Sequence, residues 1–550
     1  MSHFRKFRKP ERVFWGTILI TPLLDGKHKV WRRNRFLLSI FALLLIAQLS
    51  FASDSKVLAG KIDKILSQPE VSRGMWGIDV VSVSSGKTLY QQNAEKLFTP
   101  ASNTKLFTTS AALALIGPDY KFRTTVETAA TVDKYGRVAG DLVLVGRGDP
   151  NLSGRVLPYY LKTQRKLPTL SVLEELADEV VQKGVKYIDG DVVADDSYYA
   201  FERYGEGWSQ DDLVWEWGAP VSALTLNDNV IFVNIMPADR PGEKAFVSIT
   251  PYAEYYRIDN RIVTTPQGTE PRKIFINREP GSNVLTLWGN MPADDAGANE
   301  ALAIEDSAKF AAQVFRSMLE KRGVVVYGGA RAHHNELANL NTLTVTAIAP
   351  AGGGDSVKTL PPRPTPLVLA SYDSQPLSED LKVINKVSQN LHAELMLRLL
   401  GREKGTAGTI ESGLEVVRGY LMQAGIQPDE YVFHDGSGLS RENLVTPHAI
   451  TKLLLYIDRQ PWGALFEDTL PVSGVDGTLS DRFKNTKAEG RVQGKTGSLG
   501  HVNCISGYMT NLKGERIVFS IMANNHKLSS KRALQTIDSI VEAIVEDGKK

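Results

Sequence analysis

One cysteine, Cys504, in 550 residues leaves no disulfide framework, so the fold must be held by its own core. It sits in the strand-like run Val502 to Tyr508 and reads as a small buried residue rather than a nucleophile. Large net charge is lacking too. The total is +2, but residues 1–52 hold 10 Lys+Arg and 2 Asp+Glu, leaving 54 and 60 elsewhere, a net −6. A mildly acidic body argues against a nucleic-acid surface. The nine histidines and the acids show no metal-ligand spacing such as His-Glu-x-x-His, so neither a metal nor another cofactor is expected. No internal repeat occurs, and the one compositionally biased tract is a Pro/Gly-rich linker. The apolar run Phe36 to Leu49 is 14 residues long, short of the ~20 that span a bilayer.

That run follows Arg32-Arg33-Asn34-Arg35 and precedes the small residues of Ser50-Phe51-Ala52, the layout of a cleaved secretory signal. An uncleaved leader giving loose membrane association is the alternative. Export without disulfides suits a bacterial periplasm or wall space. The hydrophobic fraction of 42% and charged fraction of 23% are ordinary for a globular chain, and the length implies several domains.

The chain is organised around Thr99-Pro100-Ala101-Ser102-Asn103-Thr104-Lys105 and the apolar run Leu106 to Ile116 behind it. Thr99 as N-cap, Pro100 at the first helical position and Gly117-Pro118 as the stop predict a helix. Ser102 then lies in its first turn with Lys105 beside it on the same face. A serine hydroxyl is a weak nucleophile unless a neighbour takes its proton. A lysine whose pKa is lowered by burial, a nearby cation or the positive helix end can do so. Ser-x-x-Lys also occurs at Ser53 and Ser84, but the first falls at the leader's end and the second in a hairpin turn.

Far downstream stand Ser388-Gln389-Asn390 and Lys495-Thr496-Gly497, each the single occurrence of its motif. Alone, each reads as a polar break or a surface turn. Ser-x-x-Lys, Ser-x-Asn and Lys-Thr-Gly in that order resemble the signature of penicillin-binding proteins and serine β-lactamases. An excursion of 285 residues separates Ser102 from Ser388. That excursion is similar to the two β-rich subdomains of class C low-molecular-mass penicillin-binding proteins, the D-alanyl-D-alanine carboxypeptidase/endopeptidase family. Leu144-Val-Gly-Arg-Gly-Asp-Pro150, His434-Asp-Gly-Ser-Gly-Leu-Ser-Arg441 and Val475-Asp-Gly-Thr-Leu479 add to the resemblance, which covers roughly 55–545.

The expected fold is α/β: a transpeptidase-like, serine β-lactamase-like domain, with helices around an antiparallel sheet and a large mainly β insertion of two subdomains. Residues 1–52 are the leader, 53–120 and 367–550 the two parts of the catalytic domain, 121–349 the insertion and 350–366 the linker. Short strand-like runs fill the insertion, interrupted by helical stretches Leu170 to Lys183 and Ser307 to Arg322.

The resemblance implies Ser102 as nucleophile and Lys105 as base, with Lys495 helping to keep Lys105 neutral. Ser388 would relay a proton to the leaving amine and Asn390 orient the substrate amide. Lys495, Thr496 and Ser498 would hold the terminal carboxylate, with Gly497 beside them, and the oxyanion hole would be the N–H groups of Ser102 and Ser498. Arg441 and Asp195, from which Asp196 is not separable, would grip a diaminopimelate side chain. His434 is read as structural. The implied partners are peptidoglycan stem peptides as substrates and β-lactams as covalent inhibitors, with the oligomeric state left open. No Glu-x-x-x-Asn loop for deacylation is present, so penicillin should stay on Ser102. A β-lactamase or esterase on the same scaffold, or a non-catalytic wall-binding protein, are the competing readings.

Overall fold

Strand Arg516–Asn524 shows how the catalytic half is built. Ile517, Phe519, Ile521 and Ala523 enter one apolar cluster, while Val518 and Met522 enter another. Side chains alternate along a strand, so apolar residues at both odd and even positions bury both faces. In the computed structural model, which describes residues 56–160, 168–337 and 365–547, this strand is the middle of a five-stranded antiparallel sheet. Its order is Val492–Leu499, Val502–Thr510, Arg516–Asn524, Met75–Ser82 and Thr88–Gln92.

A helix over 56–66 and the last helix, Ser530–Val545, supply Leu58, Ile62, Ile537, Ile540 and Ile544 to one face. The other face packs against helices Lys105–Leu115, Asn390–Lys404, Ile410–Gln423 and Pro447–Asp458. Cys504 belongs to this second cluster; it is unpaired, and burial pushes its thiol pKa up.

After helix Lys105–Leu115 the chain enters a second, mixed sheet. Its order is Ala330–Asn335, Val192–Ala200, Leu142–Val145, Arg123–Thr128 and Leu367–Asp373. Helices Ser171–Gln182 and Ser307–Lys321, within a residue of their expected bounds, pack Leu173, Leu176, Phe310 and Phe315 into its core. Three three-stranded sheets, Ala298–Ala303/Val230–Met236/Phe246–Thr250, Arg257–Thr265/Val284–Pro292/Lys273–Asn277 and the short Val325–Val326/Tyr187–Ile188/Arg137–Val138, complete the insertion and share that core.

Strands Arg257–Thr265, Ala298–Ala303, Ala330–Asn335 and Leu367–Asp373 were not anticipated; each mixes exposed and half-buried residues, so apolar periodicity is faint. The last one pairs with Arg123–Thr128, so the chain completes the insertion's sheet before it re-enters the catalytic half. The leader 1–52 and nearly all of the linker 350–366 lie outside the described residues.

Candidate active site

The segment before Lys105 is not the α-helical turn expected from its sequence. Ala101–Thr104 forms a 3₁₀ turn with Pro100, not Thr99, at the cap, and the α-helix begins at Lys105. Ala101 takes φ of 47°, a left-handed conformation costing an alanine ~1–2 kcal/mol. The sheet holds this turn in place. Asn524 Oδ1 accepts from the Thr99 N–H at 2.7 Å, and Asn103 Nδ2 donates to Ser506 Oγ at 2.8 Å. Two glycines permit the close approach. A Cβ on Gly497 would stand 3.0 Å from the Ser102 nitrogen, and one on Gly438 would stand 1.8 Å from the Ala101 oxygen. Gly497 of the third motif therefore lets its strand lie against Ser102.

Lys105 is fully buried and its Nζ has three partners: Ser102 Oγ at 2.9 Å, Asn390 Oδ1 at 2.7 Å and the Ser437 carbonyl at 2.6 Å. Two of these can only accept. A neutral amine has two N–H bonds for them and keeps its lone pair for the Ser102 hydroxyl, the arrangement a general base requires. Burial pushes the Lys105 pKa down to about 7, against the pull of the Asp435 and Glu394 carboxylates. Lys495, equally buried, donates to Ser388 Oγ and to the Thr496 carbonyl, both at 2.8 Å. Its pKa is driven well below the ordinary amine range by burial first and by the Lys105 charge second. Burial, one of the causes the sequence reading allowed, is what lowers the Lys105 pKa.

Ser388 reaches this centre from a bend. A helix, Leu377–Lys382, passes into a π-helical turn over Val383–Val387, and Ser388 takes φ of 66° before the next helix starts at Asn390. The polar break expected there exists, and it is what aims the two motif side chains. Asn390 Nδ2 donates to the Trp217 carbonyl at 2.8 Å, so the insertion itself forms one wall.

The Lys-Thr-Gly strand lies at the sheet's edge. Gly494 N–H donates to the Pro471 carbonyl outside the sheet, so by parity Thr496 and Ser498 also direct N–H and C=O outward. Beyond Gly494 no backbone hydrogen bond reaches that edge among the described residues, the Thr496 carbonyl accepting from Lys495 Nζ instead, which leaves the remaining edge to an added extended peptide. Thr496 Oγ1 meets Thr478 Oγ1 at 2.7 Å, and Ser498 Oγ accepts from Asn503 Nδ2 at 3.0 Å.

Of the weaker candidates, Arg441 is at the rim, its Nη2 3.5 Å from where a Gly500 Cβ would stand. Asp195 is not brought to it. Its carboxylate accepts from the Ser197 N–H at 2.9 Å and pairs with His333 at 3.1 Å inside the mixed sheet. Asp196 is buried against Ser222 and His334. Asp211, which sequence reading missed, has its pKa lowered chiefly by the Ser209 hydroxyl and its own N–H, and then by the Arg441 charge. The signal available was Trp208 to Asp212, an aromatic-acidic stretch unlike the strands around it.

Glu394 was missed as well. It is fully buried, accepts the Gly436 and Ser437 N–H groups at 2.9 and 2.8 Å, and pairs with Arg398 at 2.6 Å. Asp435 binds the N–H groups of Gly438 and Ser440 and, at 2.9 Å, the Trp208 indole. These two acids hold the loop that presents Ser437 to Lys105. For a cation, the described residues offer one group, Glu206, His434 and Glu442, with one ligand atom of each within 4.8 Å; the two acids are exposed.

Comparison with known proteins gives the same picture. Over residues 58–350 and 355–545 the chain matches the D-Ala-D-Ala carboxypeptidase 3 (S13) family. It is 34% identical over 496 residues to the D-alanyl-D-alanine carboxypeptidase of Actinomadura sp. (strain R39), covering 88% of this chain and 84% of that one. It is 24% identical to the D-alanyl-D-alanine carboxypeptidase DacB of Haemophilus influenzae, over 82% and 85% of the two chains. The crystal structure of penicillin-binding protein 4 from H. influenzae has the same fold, with a TM-score of 0.72 and 23% identity, covering 88% of this chain and 98% of that one. The inserted sheets that part the first two motifs and the lysine-bridged serine between them therefore have one explanation: this chain is a serine-type peptidase of the S13 family.

Proposed function

We propose that the protein is an exported penicillin-sensitive D-Ala-D-Ala carboxypeptidase that also cleaves D-alanyl-diaminopimelate cross-links, working on peptidoglycan stem peptides through an acyl-enzyme on Ser102. The observation that carries this is the Lys105 amine, buried and with two of its three partners able only to accept. Ser102 Oγ attacks the penultimate D-alanine carbonyl while its proton passes to Lys105. The N–H groups of Ser102 and Ser498 receive the developing oxyanion, a contribution of about 3 kcal/mol per donor. The peptide C–N bond breaks as Ser388 delivers a proton to the leaving amine, and water then hydrolyses the ester. Lys495, Thr496 and Ser498 hold the terminal carboxylate.

At the rim, Arg441 and Asp211 together match the carboxylate and ammonium of a zwitterionic side chain, as at the free end of diaminopimelate. Asp211 takes the place that the resemblance gave to Asp195. Two of the named relatives support the substrate class by their own names, and a β-lactam complex of the H. influenzae protein supports the inhibitor class. The basic, apolar leader supports export to the periplasm; no described helix is long and apolar enough to cross a membrane.

Covalent labelling with a fluorescent penicillin and peptide mapping tests the reading. The expected result is a long-lived adduct on the Ser102 peptide that Ser102→Ala abolishes, with D-alanine released from a pentapeptide by the wild type alone. Steady turnover of a chromogenic cephalosporin would favour a β-lactamase. Folded protein that forms no adduct would point to a wall-binding protein instead.

A further inference from the structure

The loop before the Lys-Thr-Gly strand carries a hydroxyl to which the mechanism above gives no part. Gly477–Leu479 is a single 3₁₀ turn, and its exposed Thr478 places Oγ1 2.7 Å from Thr496 Oγ1. The loop is firmly anchored. Asp476 accepts the Val472 N–H at 2.8 Å through one oxygen and pairs with Lys386 at 2.6 Å through the other. Both charges are almost completely buried, and Lys386 Nζ also donates to the Leu470 carbonyl at 2.9 Å. Lys386 lies two residues before Ser388, so one ion pair ties the Thr478 loop to the second motif. A Cβ on Gly477 would stand 2.6 Å from the Lys386 oxygen, which keeps the two segments in close packing.

The loop pairs with the edge strand only as far as Gly494, by Ser473 N–H to the Val492 carbonyl and Gly494 N–H to the Pro471 carbonyl. Thr478 therefore stands where the pairing stops and the open edge begins. Thr496 donates to Thr478. A carboxylate can only accept, so when one arrives Thr496 must turn its proton outward. Thr478 can then reverse its role and donate to Thr496 Oγ1, and hydrogen bonds arranged in such a chain polarise and strengthen one another.

We propose that Thr478 is a positioning residue for recognition of the free terminal carboxylate, acting through the hydroxyl of Thr496. The proposal rests on the peptidase reading. No bond forms or breaks; two hydroxyl protons rotate. Any substrate or inhibitor that presents an anion to Thr496 gains from it, and a ligand without that anion does not.

The test compares Thr478→Val and Thr478→Ser with the wild type in two assays. One is the second-order rate of Ser102 acylation by fluorescent penicillin, which carries a carboxylate. The other is the inhibition constant of a carboxylate-free alkyl boronic acid, measured by competition with the same label. Thr478→Val should acylate about tenfold more slowly, the loss of one charge-coupled hydrogen bond, while its boronate constant changes by less than about twofold. Thr478→Ser should recover the wild-type rate within about twofold. Equal losses for both ligands would assign the residue to loop structure and overturn the proposal, as would an unchanged penicillin rate. Wild-type protein that forms no adduct would instead overturn the peptidase reading and this proposal with it.

Discussion

The centre and the rim of the cleft are built on opposite terms. At the centre, Lys105, Lys495, Glu394 and Arg398 are all fully buried, and each has defined hydrogen-bond partners. At the rim, Arg441 and Asp211 are exposed and belong to segments from different halves of the molecule. Buried charges act at low dielectric, where desolvation and pairing are worth several kcal/mol; exposed charges are screened and worth far less. The centre is therefore set by burial and fixes the chemistry, whereas the rim selects side chains at modest cost to stability.

Breaking the centre should give the largest effects. Lys105→Met should slow acylation by about 10²–10⁴-fold, since it removes the proton acceptor while filling similar volume. In the wild type the acylation rate should rise with pH around a midpoint near 7, because Lys105 must lose its proton to act. A flat profile from pH 5.5 to 8.5 in stopped-flow measurements would assign the base elsewhere. Next in size is Glu394→Ala. It leaves Arg398 buried without its carboxylate and should cost about 3–5 kcal/mol in denaturant melts, with acylation impaired through the Ser437 loop.

The rim variants sharpen the contrast. Arg441→Ala and Asp211→Asn should each lower kcat/KM about 10- to 100-fold for peptides bearing a free diaminopimelate end. They should change it little for peptides whose side chain is capped, and leave the melting temperature within about a degree. Asp195→Asn should alter kcat/KM less than about twofold, because its partners are Ser197 and His333. An effect of Asp195→Asn as large as that of Asp211→Asn would restore Asp195 to the substrate site.

The buried polar groups behind the centre extend the comparison to stability. Asp149 is fully buried, accepts the Asn151 N–H at 2.9 Å through one oxygen, and has no hydrogen-bond partner for the other among the described residues. Burial pushes its pKa up to about 7. The unfolded chain ionises near 4 and the native one near 7, so stability falls as pH rises between them. Asp149→Asn keeps the shape without the charge and should flatten the Tm profile over that window. An unchanged slope would show that Asp149 is ionised throughout.

Much of this could be read along the chain. The three motifs are contiguous tetrads and triads whose geometry is local: Ser102 and Lys105, three residues apart, are hydrogen-bonded, and Lys495 to Ser498 share one strand. The helices at Ser171–Gln182 and Ser307–Lys321 announced themselves by apolar spacing. The left-handed Ala101 was invisible because its cause lies in Gly438 and Gly497, hundreds of residues away in sequence. The Thr478–Thr496 hydrogen bond was hidden for a related reason: it joins residues whose separation along the chain carries no periodic signal.

The sequence by itself determined the candidate nucleophile, its candidate base and the order of the motifs, because chemistry at hydrogen-bond range fixes residue type at short spacing. Only the tertiary structure decided which carboxylate holds the Ser437 loop and how deeply Lys105 is buried. Those outcomes depend on packing among the catalytic sheet, its helices and the insertion. Desolvation, which sets the Lys105 pKa, exists only once that packing is complete.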